Sequence, residues 1–226
     1  MGREETSGMG QAGSKEGRKM IIYTMEQGTP EWDAIRLGKF TASIFDALMP
    51  TSRQKPDKWN DTQMGIIYQV AAERMAIPDE DDIEYPSRDM KRGILVEPEA
   101  RAAYEMETQN LVNQVGFIEH SDWIGCSPDG LIGESGGYEG KAPKSKTHIK
   151  YRNEPTELEE TYLYQVQGNL WISGREWWDL CSYDSRFVDE GKQLLILHIK
   201  RDEEKISALA SRLELAIEKC KEIMLA

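Results

Sequence analysis

Asp129 and Glu139, ten residues apart, and Lys141 just beyond them are side chains that can do chemistry together. Ser127-Pro128-Asp129-Gly130 reads as a turn into a strand, and Glu139-Gly140-Lys141 as the strand that returns. On such a hairpin Asp129 and Glu139 can face each other. Lys141 projects to the side of Glu139, because strand side chains repeat every second residue. Paired carboxylates and the Gly140 carbonyl suit a hard divalent cation such as Mg²⁺, which prefers oxygen ligands. Clustered carboxylates are also what metal-assisted cleavage of a phosphodiester requires. Lys141 would be either the base or the orienter of the attacking water. A lysine pKa near ~10.4 is high for a base at neutral pH; a nearby cation would lower it and the carboxylates would raise it. Without a cation, Asp129 and Glu139 would repel each other.

The elements that must position this set can be read from local signals. Thr29-Pro30-Glu31 has the cap, proline and first-turn acid of a helix start, with Gly38 as the stop. Thr41 is a candidate cap for a short helix ending before Pro50, and Asn60 opens a helix running towards Ile77 with Ile66, Val70 and Met75 as its core candidates. A longer helix is expected over about 87–110, with Pro98 starting a fresh turn or kinking it. Residues 115–117, 123–126, 131–132 and 138–142 then read as short strands, with 133–137 as turn. Leu158, Tyr162, Val166 and Leu170 predict a helix over 156–173, and residues 177–183 and 194–199 predict strands rich in aromatic and branched side chains. An amphipathic helix over 202–224 closes the chain. The expectation is α/β: a mixed central sheet flanked by helices, in one domain over 20–226. Residues 1–19, rich in Gly, Ser and charge, predict a disordered leader.

Composition bounds the partners. With 226 residues, 30% charged and 39% hydrophobic, the chain is large enough for a substantial core. Cys126, Cys181 and Cys220 are far apart and fit reduced thiols, and His120, His148 and His198 show no zinc spacing. No apolar run is long enough to span a bilayer and no hydrophobic signal segment stands at the start, so the expected place is the cytoplasm. The net charge of −12 argues against nucleic acid as partner, yet 141–152 carries Lys141, Lys144, Lys146, Lys150 and Arg152 with no acid among them. An acidic exterior with a basic lining reconciles the two.

Several motifs stand in a telling order: Trp32…Arg36-Leu37-Gly38, Thr41-Ala42-Ser43, Arg92-Gly93…Glu97, Ser127-Pro128-Asp129-Gly130, Glu139-Gly140-Lys141 and Gln165-Val166-Gln167. In that order they resemble the phage lambda exonuclease family, the YqaJ-like branch of the PD-(D/E)XK nucleases, from about residue 20 to about residue 175. The resemblance implies that Asp129, Glu139, the Gly140 carbonyl and Glu97 hold Mg²⁺, with Mn²⁺ as a substitute, and that Lys141 and Gln165 act on the water. It implies a pocket for the 5′-phosphate of the recessed strand from Arg36, Ser43 and Ser127, a duplex contact at Arg53, and an apolar wedge at Met90. Where the family has a further pocket arginine, this chain has Thr147, so Lys144 or Lys146 would supply the charge. The family also tends to have an aliphatic residue where Gly140 stands. The implied activity is a Mg²⁺-dependent 5′→3′ exonuclease acting on double-stranded DNA ends. It would release 5′-mononucleotides and leave a 3′ single strand for recombination in a bacterial host cell. The implied assembly is a homotrimer ring, and the implied partner a phage single-strand annealing protein. The alternatives are a structure- or sequence-specific endonuclease of the same fold and a catalytically silent DNA-binding subunit.

Overall fold

The computed structural model describes residues 3–4, 20–51, 53–55, 57–77 and 88–226, the side chains of 3–4 and 88–90 excepted. Of the expected leader, Arg3–Glu4 (β1) pair with β2 (Ile21–Tyr23), and the rest lies outside the described residues. Two helix starts act as read, while Met75, expected in the core, is exposed. Thr29 caps α1 (Pro30–Arg36) through its side chain, and Asn60 forms a full capping box with Gln63 at the start of α3 (Asp61–Met75). Thr41 sits at the cap position of a 3₁₀ turn, Ala42–Ile44, that runs into α2 (Phe45–Leu48), but its hydroxyl turns to Ser43 instead of the backbone. The long helix α4 (Arg88–Thr108) runs through Pro98.

The structure is mixed α/β, but its strands divide into two five-stranded sheets where one central sheet was expected. The first sheet has the order β1-β2-β5-β6-β3, in which β3 (Phe40–Thr41) runs parallel to β6 (Ile124–Cys126) and β5 (Phe117–Glu119) antiparallel to it. The second sheet has the order β10-β9-β8-β7-β4. Here β8 (Gly136–Lys141) lies antiparallel to β7 (Gly130–Ile132) and parallel to β9 (Trp177–Tyr183). β4 (Val112–Asn113) and β10 (Leu194–Lys200) form its edges. The strand expected over 115–117 is displaced to Phe117–Glu119, and Gly136 and Gly137, expected in a turn, are in β8 because the planes of Trp177 and Trp178 cover them.

Two helical expectations change. The basic run forms α5 (Ser145–Asn153), which burial of only His148 and Tyr151 left without a readable apolar stripe. The helix expected over 156–173 breaks at Tyr162 into α6 (Pro155–Thr161) and α7 (Leu163–Ser173). The core gathers Phe40, Phe45 and Leu48 with Ile67 of α3, Val166 and Leu170 of α7, Trp178 and Leu180 of β9, and Leu209 and Leu213 of α8 (Glu203–Leu225). Helix α7 is buried along nearly its whole length, so its side chains must pair within the protein.

Candidate active site

Sheet register builds the centre. Gly130 lies opposite Tyr138, so Asp129 falls opposite Glu139 one step along the hairpin. The Gly140 backbone N–H donates to Asp129 Oδ2 at 2.8 Å, which locks the two strands together at the carboxylate. Gly140 has a steric reason to lack a side chain, since a Cβ there would lie 2.7 Å from the Tyr138 hydroxyl. Glu97 comes from α4 and lines the same cavity, of about 100 Å³, together with Asp129, Glu139, Gly140 and Lys141. Gln165 enters from α7.

In this arrangement Glu139 is fully engaged. Lys141 Nζ donates to its Oε1 at 2.6 Å, Gln165 Nε2 donates to the same oxygen at 2.6 Å, and Asn169 Nδ2 donates to Oε2 at 3.2 Å. Lys141 Nζ also donates to Gln165 Oε1 at 3.1 Å and sits 4.6 Å from the centre of the Tyr162 ring. Burial alone would lower the Lys141 pKa, but the charges of Glu139 and Asp129 outweigh it and hold the ammonium above its ordinary value. Burial pushes Asp129 well above the usual carboxylate range, and the charge of Glu139 pushes it further against the pull of Lys141. Burial likewise raises Glu97, partly offset by Arg101 and reinforced by Glu139. The cluster therefore holds more negative charge than its own lysine neutralises, the condition a divalent cation relieves. Its donor set is all oxygen, which fits a hard cation. No group of three or more His, Cys, Asp or Glu among the described residues is already gathered tightly enough to hold a metal. The oxygens of Glu139 are turned to nitrogen donors.

Beside this centre, Arg36 Nη1 donates to Ser127 Oγ at 3.0 Å, and its guanidinium stacks on the Trp32 ring at 3.8 Å. Trp32 Nε1 also reaches Ser127 Oγ, at 3.1 Å, and the Gly116 carbonyl at 2.9 Å. Ser43 follows β3 and Ser127 follows β6, so both leave the same end of two parallel neighbours. Ser43 is exposed, and its hydroxyl lies 3.3 Å from that of Thr41.

These motifs lie within a recognised domain: residues 31–176 match the YqaJ-like viral recombinase domain. The chain belongs to that family. Among solved structures it is similar to an alkaline exonuclease from Laribacter hongkongensis, at 31% identity over 87% of this chain and 94% of the other, with a TM-score of 0.76. The same enzyme in complex with dAMP superimposes with a TM-score of 0.75. A phage related exonuclease from Haemophilus somnus 129PT, at 13% identity over 82% of this chain and 95% of the other, shares the fold with a TM-score of 0.69. No curated protein shows a significant match.

The remaining site candidates of this YqaJ-like domain are spread out. Lys144 stands at the cap position of α5 and Lys146 in its first turn, both exposed, with Thr147 next to them. Arg53 is exposed on the loop before α3. Met90 is in the first turn of α4, and its side chain lies outside the described residues. Three contributors were not singled out from sequence. Asn169 and Tyr162 touch Glu139 and Lys141, and Asp46 accepts the backbone N–H groups of Tyr164 at 2.8 Å and Gln165 at 2.9 Å. Arg92, known only as a motif letter, donates to the carbonyls of Ala142 and Pro143 just after Lys141 and so ties α4 to the end of β8. Asn169, one helical turn from Gln165, was the one of these with a readable signal.

Proposed function

We propose that this protein is a Mg²⁺-dependent 5′→3′ exonuclease acting on the ends of linear double-stranded DNA. It releases 5′-mononucleotides and leaves a 3′ single strand for recombination by annealing. The observation that carries this reading is that Glu97, Asp129, Glu139 and Lys141 line one cavity, on the hairpin whose Ser127 is held by Arg36. Family membership and the likeness to an alkaline exonuclease support it, and that relative's complex with dAMP agrees with a mononucleotide product.

Asp129, Glu97, Glu139 and the Gly140 carbonyl would hold Mg²⁺, with Mn²⁺ as a substitute. When bound, the ion supplies Lewis acidity and lowers the pKa of a water. Lys141 acts on the attacking water as base or orienter, its carboxylate neighbours raising its pKa and a bound ion lowering it. Gln165 holds Lys141 and Glu139 in register through one amide. Arg36, Ser43 and Ser127 grip the terminal 5′-phosphate, since a guanidinium and hydroxyls supply the directed donors that a phosphate accepts. Lys146 and Lys144 add charge where the family has an arginine. Arg53 and Met90 contact the duplex.

Residues 20–226 act as one nuclease domain, assembled as a homotrimer ring in the bacterial host cytoplasm. A phage single-strand annealing protein is the partner. The net charge of −12 then repels DNA from the outside while local lysines attract it within. No helix among the described residues is long and apolar enough to cross a membrane. The test is release of mononucleotides from 5′-phosphorylated linear duplex with Mg²⁺, in wild type and Asp129→Ala. The variant should lose on the order of 10³-fold in rate, equivalent to several kcal/mol of lost charge stabilisation. Nicking of covalently closed duplex would make the protein an endonuclease, and no Mg²⁺-dependent release at all would make it a silent DNA-binding subunit.

A further inference from the structure

The break between α6 and α7 at Tyr162 exposes the first N–H groups of α7 in a helix that is otherwise buried. Such groups need acceptors. No side chain next to the break supplies one, and the N–H groups of Tyr164 and Gln165 instead reach Asp46, more than a hundred residues earlier, at 2.8 and 2.9 Å. A carboxylate at a helix N-terminus is also favoured by the helix dipole. Asp46 thereby fixes the rotation and height of the turn that carries Gln165, the amide joining Lys141 to Glu139.

The same short segment is keyed to α7 a second time. A Cβ at Gly168 would lie 2.4 Å from the Phe45 ring, so α7 meets Phe45 at glycine contact distance. Phe45 is fully buried. With Asp46 capping and Phe45 seated, α2 and the start of α7 form one unit. At its other end that unit begins with Ser43, in the 3₁₀ turn leading directly into α2. Ser43 is the exposed hydroxyl assigned above to the 5′-phosphate.

We propose that Asp46 is a positioning residue through which a 5′-phosphate held at Ser43 sets Gln165, and with it Lys141 and Glu139, for cleavage. This rests on the phosphate-end reading above. A terminal phosphate then raises the rate of the bond-breaking step as well as affinity for the end. Ends lacking it bind to a centre whose Gln165 is less well placed.

The experiment compares kcat and KM on linear duplexes with 5′-phosphate and 5′-hydroxyl ends, for wild type, Asp46→Ala, Asp46→Asn and Asn60→Ala. Wild type should show a higher kcat on phosphorylated ends. Asp46→Ala should lose about tenfold to a hundredfold in kcat on those ends, as small misplacements of reacting groups do, with KM little changed and the ratio of the two kcat values near one. Asp46→Asn, which keeps one acceptor oxygen, should fall between. Asn60→Ala removes the cap of α3, a helix start of similar kind, and should keep the wild-type ratio at a comparable loss of melting temperature. Asp46→Ala with unchanged kcat, or with both kcat values reduced by the same factor, overturns the proposal. So does a collapse of the ratio in Asn60→Ala. If Asp46→Ala does not fold, the Asp46→Asn ratio decides alone. A wild type without nuclease activity overturns the functional reading itself, an outcome distinct from any of these.

Discussion

Asp129 and Asp184 lie at the ends of strands in the same sheet and have opposite surroundings. Asp184 is fully buried, yet Arg186 grips both its oxygens at 2.7 Å and Arg92 adds an ion pair at 3.4 Å. Burial would raise its pKa, but Arg186 and Ser145 more than compensate and draw it down to about 2. Asp129 has a single backbone donor, faces Glu139, and is pushed well up. Folding thus over-satisfies one carboxylate and leaves the other short of positive charge. The first pattern stabilises a fold; the second stores an electrostatic cost that a bound cation can release.

Neutralising each carboxylate should break this contrast in opposite directions. Asp184→Asn should destabilise the protein by about 3 kcal/mol, because it strips charge-assisted bonds from Arg186 and Arg92. The pH dependence follows from the lowered pKa. Asp184 contributes its stability above the unfolded carboxylate value near ~3.9 and loses it as pH falls towards about 2. Acid melts of the variant should therefore be flatter than wild type across that window; parallel curves would deny Asp184 this role.

Asp129→Asn should do the reverse, and by less. At pH 8 with divalent ions chelated, replacing one of two facing acids by a neutral amide should raise the melting temperature modestly. For a carboxyl whose folded pKa is raised, the cost is present above the folded value and absent below the unfolded one, so the gain should vanish near pH 4. Added Mg²⁺ should then raise the melting temperature of wild type and not of the variant. A variant less stable than wild type at pH 8 in chelator would show that Asp129 is satisfied as it stands.

The contrast also marks what a sequence displays. The hairpin was legible because a strand repeats every second residue, so Asp129, Glu139 and Lys141 declare a common face locally. Helices α1 and α3 were legible through Thr29 and Asn60, whose capping partners lie within a few residues. Asp46 was not, because its partners Tyr164 and Gln165 are distant in the chain; at Asp184 only Arg186 is near in sequence, while burial and the contact with Arg92 arise from the fold. The break at Tyr162 carries no proline or glycine, and α5 buries too few residues for a periodicity. Strands of two or three residues likewise give no hint of which sheet they join. Arg36 meeting Ser127 followed from the family resemblance and not from any spacing.

The smallest test concerns the neutral groups around Glu139. The Tyr138 hydroxyl is buried without a hydrogen-bond partner, and so is Oδ1 of Asn169, whose Nδ2 serves Glu139. The Tyr138 ring packs against that of Tyr104 in a tilted contact with centroids 4.8 Å apart. An unpaired buried hydroxyl costs about 1 to 3 kcal/mol, and removing it alone should recover part of that. Tyr138→Phe keeps the ring and deletes the hydroxyl that crowds Gly140. It should melt at or above the wild-type temperature, by up to about 1 kcal/mol in stability. The same deletion at Tyr104, whose hydroxyl donates to Asp179 at 2.5 Å in the body of the sheet, should instead destabilise. A loss of stability in Tyr138→Phe as large as in Tyr104→Phe would mean that the hydroxyls beside the centre and in the body of the sheet are equally satisfied, and that the electrostatic shortfall at Asp129 does not extend to its neutral neighbours.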